Sequence, residues 1–142
     1  MKSEFPFIFD DENWYQEIDS GRPGPTTALL GCIHGDEVAG LEVLRQISTR
    51  IDCGKLYLIG GNPKAYAENA RSTEENLNRC FGENLDPGLY EVRVARRIEK
   101  LLDECDYALD IHQAFGSEVF TFSEQNCLDF AIQLLTTEYA IT

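Results

Sequence analysis

The chain is predicted to adopt an α/β fold in which helices cover a largely parallel central sheet. Three observations carry that expectation. Continuous apolar runs such as "TTALLGCIH" and "KLYLIGG" suit strands buried on both faces. Other segments repeat apolar residues at spacings of three and four, the mark of a helix with one buried face. Strands and helices also alternate along the chain, as they do where helical crossovers join parallel strands.

The opening "MKSEFPFIFDDENW" is a short apolar stretch that turns acidic, unlike a charged-then-apolar leader. After the turn-forming "SGRPGP", residues 26–34 read as the first buried strand. A helix is expected from close to Glu37, with Val38, Leu41, Leu44, Ile47 and Ile51 on one face. Residues 55–61 form a second strand, stopped by its glycines and the Asn62-Pro63 turn. Residues 62–86 are polar with little apolar periodicity, so a long loop with at most a short helical piece is expected there; ordered loops of that length are often functional. From Pro87, which suits a first helical turn, Leu89, Val92, Ala95, Ile98, Leu101 and Leu102 repeat at helical spacing. "YALDIHQA" and "EVFTFS" then read as strands, and "CLDFAIQLLTTEY" as a helix.

A chain of 142 residues fits one domain, and a domain near this size hides roughly 70% of its unfolded surface. The formal charge of −13, from 25 acidic against 12 basic residues, argues against nucleic acid or an anionic membrane as partner, because phosphates would be repelled. No stretch approaches the ~20 apolar residues of a membrane span, so a cytoplasmic protein is expected. Cys32, Cys53, Cys80, Cys105 and Cys127 are odd in number and contain no C-x-x-C. Free, mostly buried thiols follow from that, rather than a disulfide framework or a cysteine zinc site.

The chain has two histidines, and both fall at predicted strand ends: His34 closes "TALLGCIH" and His112 closes "LDIH". In open α/β sheets the carboxyl ends of strands form the ligand crevice, so His34, His112 and Glu37 can converge there. Two neutral imidazoles and one carboxylate bind zinc tetrahedrally and leave the fourth position for water. In "HGDE", Gly35 allows a sharp turn, and Glu37 comes round at the first helical turn, where the helix N-terminus favours its ionised form. The plainer alternative is that each histidine caps a strand through backbone hydrogen bonds.

The long loop adds Arg71, Asn78 and Arg79. Arg79 can grip a substrate carboxylate with both arms of its guanidinium, and Arg71 can stabilise a carbonyl oxygen as it becomes negative. Surface pairing with Glu68, Glu74 or Glu75 is the alternative. Asp110 lies two residues before His112 on the same strand face, where it can orient a ligand, hold an arginine or simply bond backbone groups. Cys32 and His34, at i and i+2, are a weak candidate for a nucleophile and base, since side chains on one strand face point side by side.

The series "HGDE", "NPKA", Arg71, "NLNRCF" and "DIH" resembles, in order and spacing, the succinylglutamate desuccinylase and aspartoacylase family, a branch of the zinc carboxypeptidase clan. The resemblance implies a three-layer α/β/α domain with a mixed, largely parallel sheet. It implies one zinc held by His34, Glu37 and His112, with Arg71 polarising the scissile carbonyl and Asn78 and Arg79 binding the substrate carboxylate. The activity implied is hydrolysis of an N-acyl amino acid of the N-succinylglutamate or N-acetylaspartate type, a small-molecule substrate, by a chain that can form a homo-oligomer. A carboxypeptidase would use the same residues, and a non-catalytic metal-binding module is a third reading. In two places the sequence departs from the family: Asn76 stands where the family usually has an acid, and the glutamate that acts as general base has no counterpart among Glu118, Glu124 and Glu138. The family's C-terminal β-rich region is also absent. Residues 1–142 are therefore expected to be the N-terminal portion of a catalytic domain, able to hold zinc but poorly active alone.

Overall fold

The structure, a computed structural model, describes residues 10–12, 14–47, 50–82 and 85–113. The strand expected at 118–123, the helix at 127–139, Cys127 and Glu118, Glu124 and Glu138 lie outside the described residues. Within them, a four-stranded sheet is built from β1 (Tyr15–Asp19), β2 (Thr26–Gly31), β3 (Lys55–Gly60) and β4 (Tyr107–Ile111), in the order β1-β3-β2-β4. β2 runs parallel to both neighbours, and β1 is antiparallel to β3. The sheet is therefore mixed and largely parallel.

Alternation along the strands divides their side chains between two cores. On one face Ala28, Leu30, Tyr57 and Ile59 pack with Val92, Ala95 and Ile98 of helix α3 (Tyr90–Leu102). On the other, Leu29, Leu56 and Leu58 pack with Leu41 and Leu44 of helix α1 (Val38–Gln46). Helices on both faces explain why these strands are apolar throughout. β1 has no counterpart among the expected strands because Ile18 is the one residue of "YQEID" that is buried, as befits an exposed edge strand.

Several expected boundaries shift for local reasons. The first strand ends at Gly31 rather than at His34, because Cys32 takes a left-handed backbone conformation (φ 58°) that breaks the ladder. α1 stops at Gln46 because Ile47 turns extended (ψ 138°); Ile47 and Ile51 still pack on the core, but Val38 is exposed. Pro87 lies before α3 rather than in its first turn. Asp86 forms a turn there, accepting from Gly88 N at its side chain (2.8 Å) and from Leu89 N at its carbonyl (3.2 Å). The long polar segment contains a short helix, α2 (Pro63–Ala67), capped by Asn62, and a 3₁₀ turn at Leu77–Arg79. Among the described residues no helix is long and apolar enough to cross a membrane.

Register sets the height at which each strand releases the chain. Gly31 pairs with Gly60 on one side and with Ile111 on the other, so three parallel strands finish level with one another. α1 crosses this edge closely: a Cβ on Gly40 would meet the Ile111 carbonyl oxygen at 2.7 Å and Gly31 Cα at 2.9 Å. Helix propensity alone would make Gly40→Ala stabilising by about 1 kcal/mol, but overpacking against rigid backbone costs about 1–3 kcal/mol. Gly40→Ala is expected to lower the urea midpoint of unfolding, and a raised midpoint would show that α1 can move away from β2.

Candidate metal centre

The chain leaves β2 into a short buried turn that delivers His34 and Glu37 side by side. Gly35 is required there by proximity, since a Cβ would lie 2.2 Å from Ala65 C and 2.3 Å from Tyr66 N, both backbone atoms of the α2 region. Its N–H donates to the Arg71 carbonyl at 3.1 Å, which ties the turn to the long loop. Glu37 N donates to the His34 carbonyl (3.0 Å), and Glu37 is the N-cap residue of α1. On the level edge next to it, His112 follows directly after Ile111.

These placements bring His34, Glu37 and His112 together, with one ligand atom from each within 4.8 Å of the others. Glu37 is the hub. Its Oε1 lies 2.8 Å from His34 Nδ1 and 3.0 Å from Arg71 Nη1. Its Oε2 lies 2.9 Å from His112 Nδ1 and accepts from Gln113 N at 3.0 Å. Burial pushes the Glu37 carboxyl up, but the Gln113 N–H and then the two imidazoles outweigh it, so the group sits below its ordinary range.

Each imidazole is also held from its far side. His34 Nε2 faces Asn76 Oδ1 at 3.1 Å, and His112 Nε2 faces Asp110 Oδ2 at 2.8 Å. Asp110 therefore contacts a histidine through its carboxylate. Its hydrogen bond, against the effect of burial and with help from Glu37, raises the His112 pKa to about 9.

The donor set can be tested against a metal on this geometry. If each Nε2–H points at its outer acceptor, both Nδ1 lone pairs face the Glu37 carboxylate. Three electron-rich groups around one centre require positive charge among them, supplied by a proton on each ring or by a shared cation. Two imidazoles and a carboxylate suit zinc, and outer acceptors of this kind fix the tautomer and ring orientation of metal-binding histidines. The residues present fit the ion.

Arg71 is tied to the cluster by both its carbonyl and its guanidinium rather than pairing with Glu68, Glu74 or Glu75, yet 55% of its side chain is exposed. Asn78 and Arg79 sit on the exposed 3₁₀ turn, and among the described residues neither side chain bonds the three clustered groups. Two contributors were not foreseen. Asn76 accepts from Asn78 N (3.0 Å) while facing His34, so the position read as a departure in the loop is an outer partner of the cluster. Gln113 bonds Glu37 through its backbone, and its side chain accepts from Ala39 N at 3.4 Å, tethering the start of α1. No pattern in the sequence signals a backbone donor of that kind.

Comparison with known proteins bears on the family and the fold. The family model described as "Succinylglutamate desuccinylase/Aspartoacylase catalytic domain" matches residues 23–141. A probable aspartoacylase of Prochlorococcus marinus (strain MIT 9515) is 33% identical over 96 residues, covering 59% of this chain and 32% of the relative. The succinylglutamate desuccinylase of Vibrio parahaemolyticus is 30% identical over 111 residues, covering 67% of this chain and 32% of the relative. The crystal structure of a V. parahaemolyticus succinylglutamate desuccinylase superposes with a TM-score of 0.68 at 24% identity, over 80% of this chain and 39% of that one, a likeness of fold. The chain spans about a third of the length of the curated relatives it matches.

Cys32 takes no part in the cluster as a nucleophile. It lies beyond the end of β2 and does not share a strand face with His34, and its thiol is buried with Sγ 3.7 Å from the Gly35 carbonyl. Burial first, then the charges of Glu37 and Asp36, push its pKa up to about 12. Folded protein treated with a thiol reagent at about pH 8 is expected to react at the exposed Cys53 and to leave Cys32 unmodified, as read by peptide mapping. Rapid labelling of Cys32 would contradict its burial.

Proposed function

Because the chain belongs to the succinylglutamate desuccinylase/aspartoacylase catalytic-domain family, we propose that it forms the metal-binding and carboxylate-binding part of a zinc-dependent hydrolase that removes the acyl group from an N-acyl amino acid. The observation that carries this reading is the sharing of one buried carboxylate, Glu37, by two imidazoles and a half-exposed arginine. His34, Glu37 and His112 would hold the zinc. When bound, the ion would supply Lewis acidity and would lower the pKa of a coordinated water to about 7.

The positions of the chain's own residues support the following roles. Asn76 and Asp110 hold the imidazole rings, so that each Nδ1 stays directed at the centre. Arg71 is anchored through Glu37 and the Gly35 N–H, and its half-exposed guanidinium can meet a carbonyl oxygen as charge develops on it. Arg79, exposed on its turn and without an ion pair among the described residues, is available to take the substrate carboxylate in a two-pronged grip beside the Asn78 amide. Proton transfer is assigned to a residue outside the described set, because Glu37 and Asp110 are both committed to histidines.

Metal analysis is expected to find one zinc per chain, lost in Glu37→Gln and His112→Ala. In an enzyme spanning the full length of the relatives, Arg79→Lys should raise KM for N-succinylglutamate or N-acetylaspartate with kcat less affected. Charged hydrogen bonds are worth about 1.5–3 kcal/mol, so a loss of roughly 10- to 100-fold is anticipated; unchanged KM and kcat would remove Arg79 from the site. The 142-residue chain by itself should bind zinc, and a base supplied from beyond it would leave its turnover about 10²- to 10⁴-fold slower than that of a full-length enzyme. Full turnover by that chain would place the base among residues 114–142. Release of C-terminal amino acids from peptides, with N-acyl amino acids untouched, would identify a carboxypeptidase instead.

A further inference from the structure

Glu91 is fully buried at the start of α3 and is not one of the three clustered ligands, and among the described residues no basic side chain is a hydrogen-bond partner of it. Instead its carboxylate gathers donors from the long loop. Oε1 accepts from Thr73 N (2.6 Å), Thr73 Oγ1 (2.8 Å) and Asn62 Nδ2 (3.3 Å), and Oε2 accepts from Glu74 N and Glu75 N, both at 3.2 Å. Successive backbone N–H groups curled round an anion form a nest, a concavity suited to negative charge. The loop reciprocates: Glu74 Oε2 accepts from Tyr90 N at 2.5 Å, capping the helix that carries Glu91. The next residue along, Asn76, faces His34, and Arg71 lies just upstream of the nest.

We propose that Glu91 is a positioning residue for the metal centre: its carboxylate clamps residues 73–75 onto α3 and thereby holds Asn76 against His34 Nε2. The proposal rests on the zinc reading for its functional meaning, though not for its geometry. A glutamine in this place would keep the shape but turn an N–H₂ towards N–H donors, so the nest would open. The anionic form is favoured here. Burial raises the Glu91 carboxyl, but the Thr73 backbone and hydroxyl, Asn62 and Glu75 lower it further, leaving it below the ordinary range.

A merely structural glutamate would lower stability without disturbing His34, so the experiment compares Glu91→Gln with Ile98→Val, a core change further along α3 that leaves the nest intact. In the metal-free chain, Glu91→Gln is expected to speed amide exchange at residues 73–75 by about tenfold or more and to shift the imidazole nitrogen resonances of His34, whereas Ile98→Val does neither. With cobalt(II) as probe, Glu91→Gln should bind about 10- to 100-fold more weakly and alter the visible spectrum, with Ile98→Val matching the parent. If Glu91→Gln does not fold, Thr73→Val, which removes one donor and keeps the shape, should give the same changes in smaller measure. Unaltered His34 resonances and unaltered exchange at residues 73–75 in the folded variant would overturn the proposal. A parent chain that takes up no cobalt(II) would instead overturn the zinc reading, and the metal-free measurements would still decide the role of Glu91.

Discussion

A single negative charge, on Glu37, is shared by groups that arrive from three separate stretches of chain. His34 comes from the turn after β2, Arg71 from the long loop, and His112 with the Gln113 N–H from the end of β4. Burying a carboxylate is costly unless donors surround it, and here each donor is itself fixed by a different part of the fold. The strands must end level, α1 must begin where it does, and the loop must return over the edge. A shift in any one of them would leave a buried charge short of a partner, so the hub couples the sheet, α1 and the loop.

The sheet meets that demand through register and small residues. With Gly31, Gly60 and Ile111 aligned, the chain emerges from the three parallel strands at one height. Glycines at 31 and 40 let α1 lie against the edge, which keeps Glu37 within reach of His112. β2 has α1 on one face and α3 on the other, and its neighbours β3 and β4 are reached by crossovers to opposite sides. This is a point of reversal in strand order, where open α/β sheets form their crevice.

The loop is organised by a second buried carboxylate. Glu91 collects the backbone of residues 73–75 as Glu37 collects the side chains of the cluster, and Asn76 stands between the two groups of contacts. Two buried carboxylates, Glu37 paired with Arg71 and the imidazoles and Glu91 held by loop N–H and hydroxyl groups, thus order a segment that is mostly polar. That accounts for a long polar stretch keeping one conformation beside the sheet: Leu77 and Cys80 are buried, while Arg71, Asn78 and Arg79 face outward.

What the sequence by itself determined was local. Apolar runs marked β2 and β3, helical spacing marked α1 and α3, and the three-residue step from His34 to Glu37 placed two members of the cluster together, because these signals act over a few residues. The strand end at "LDIH" added His112 and the polar loop added Arg71, and the family motifs grouped them into one site, since a resemblance reports contacts that spacing alone does not. β1 stayed hidden because an edge strand with one buried side chain has almost no apolar pattern. Only the tertiary structure decided that Asn76 faces His34, 42 residues away, that Gln113 donates through its backbone, and that Glu91 holds the loop. Such contacts depend on strand order, register and the path of a loop, and the hydrogen bonds that create them join groups whose residue types carry no mark of their partners.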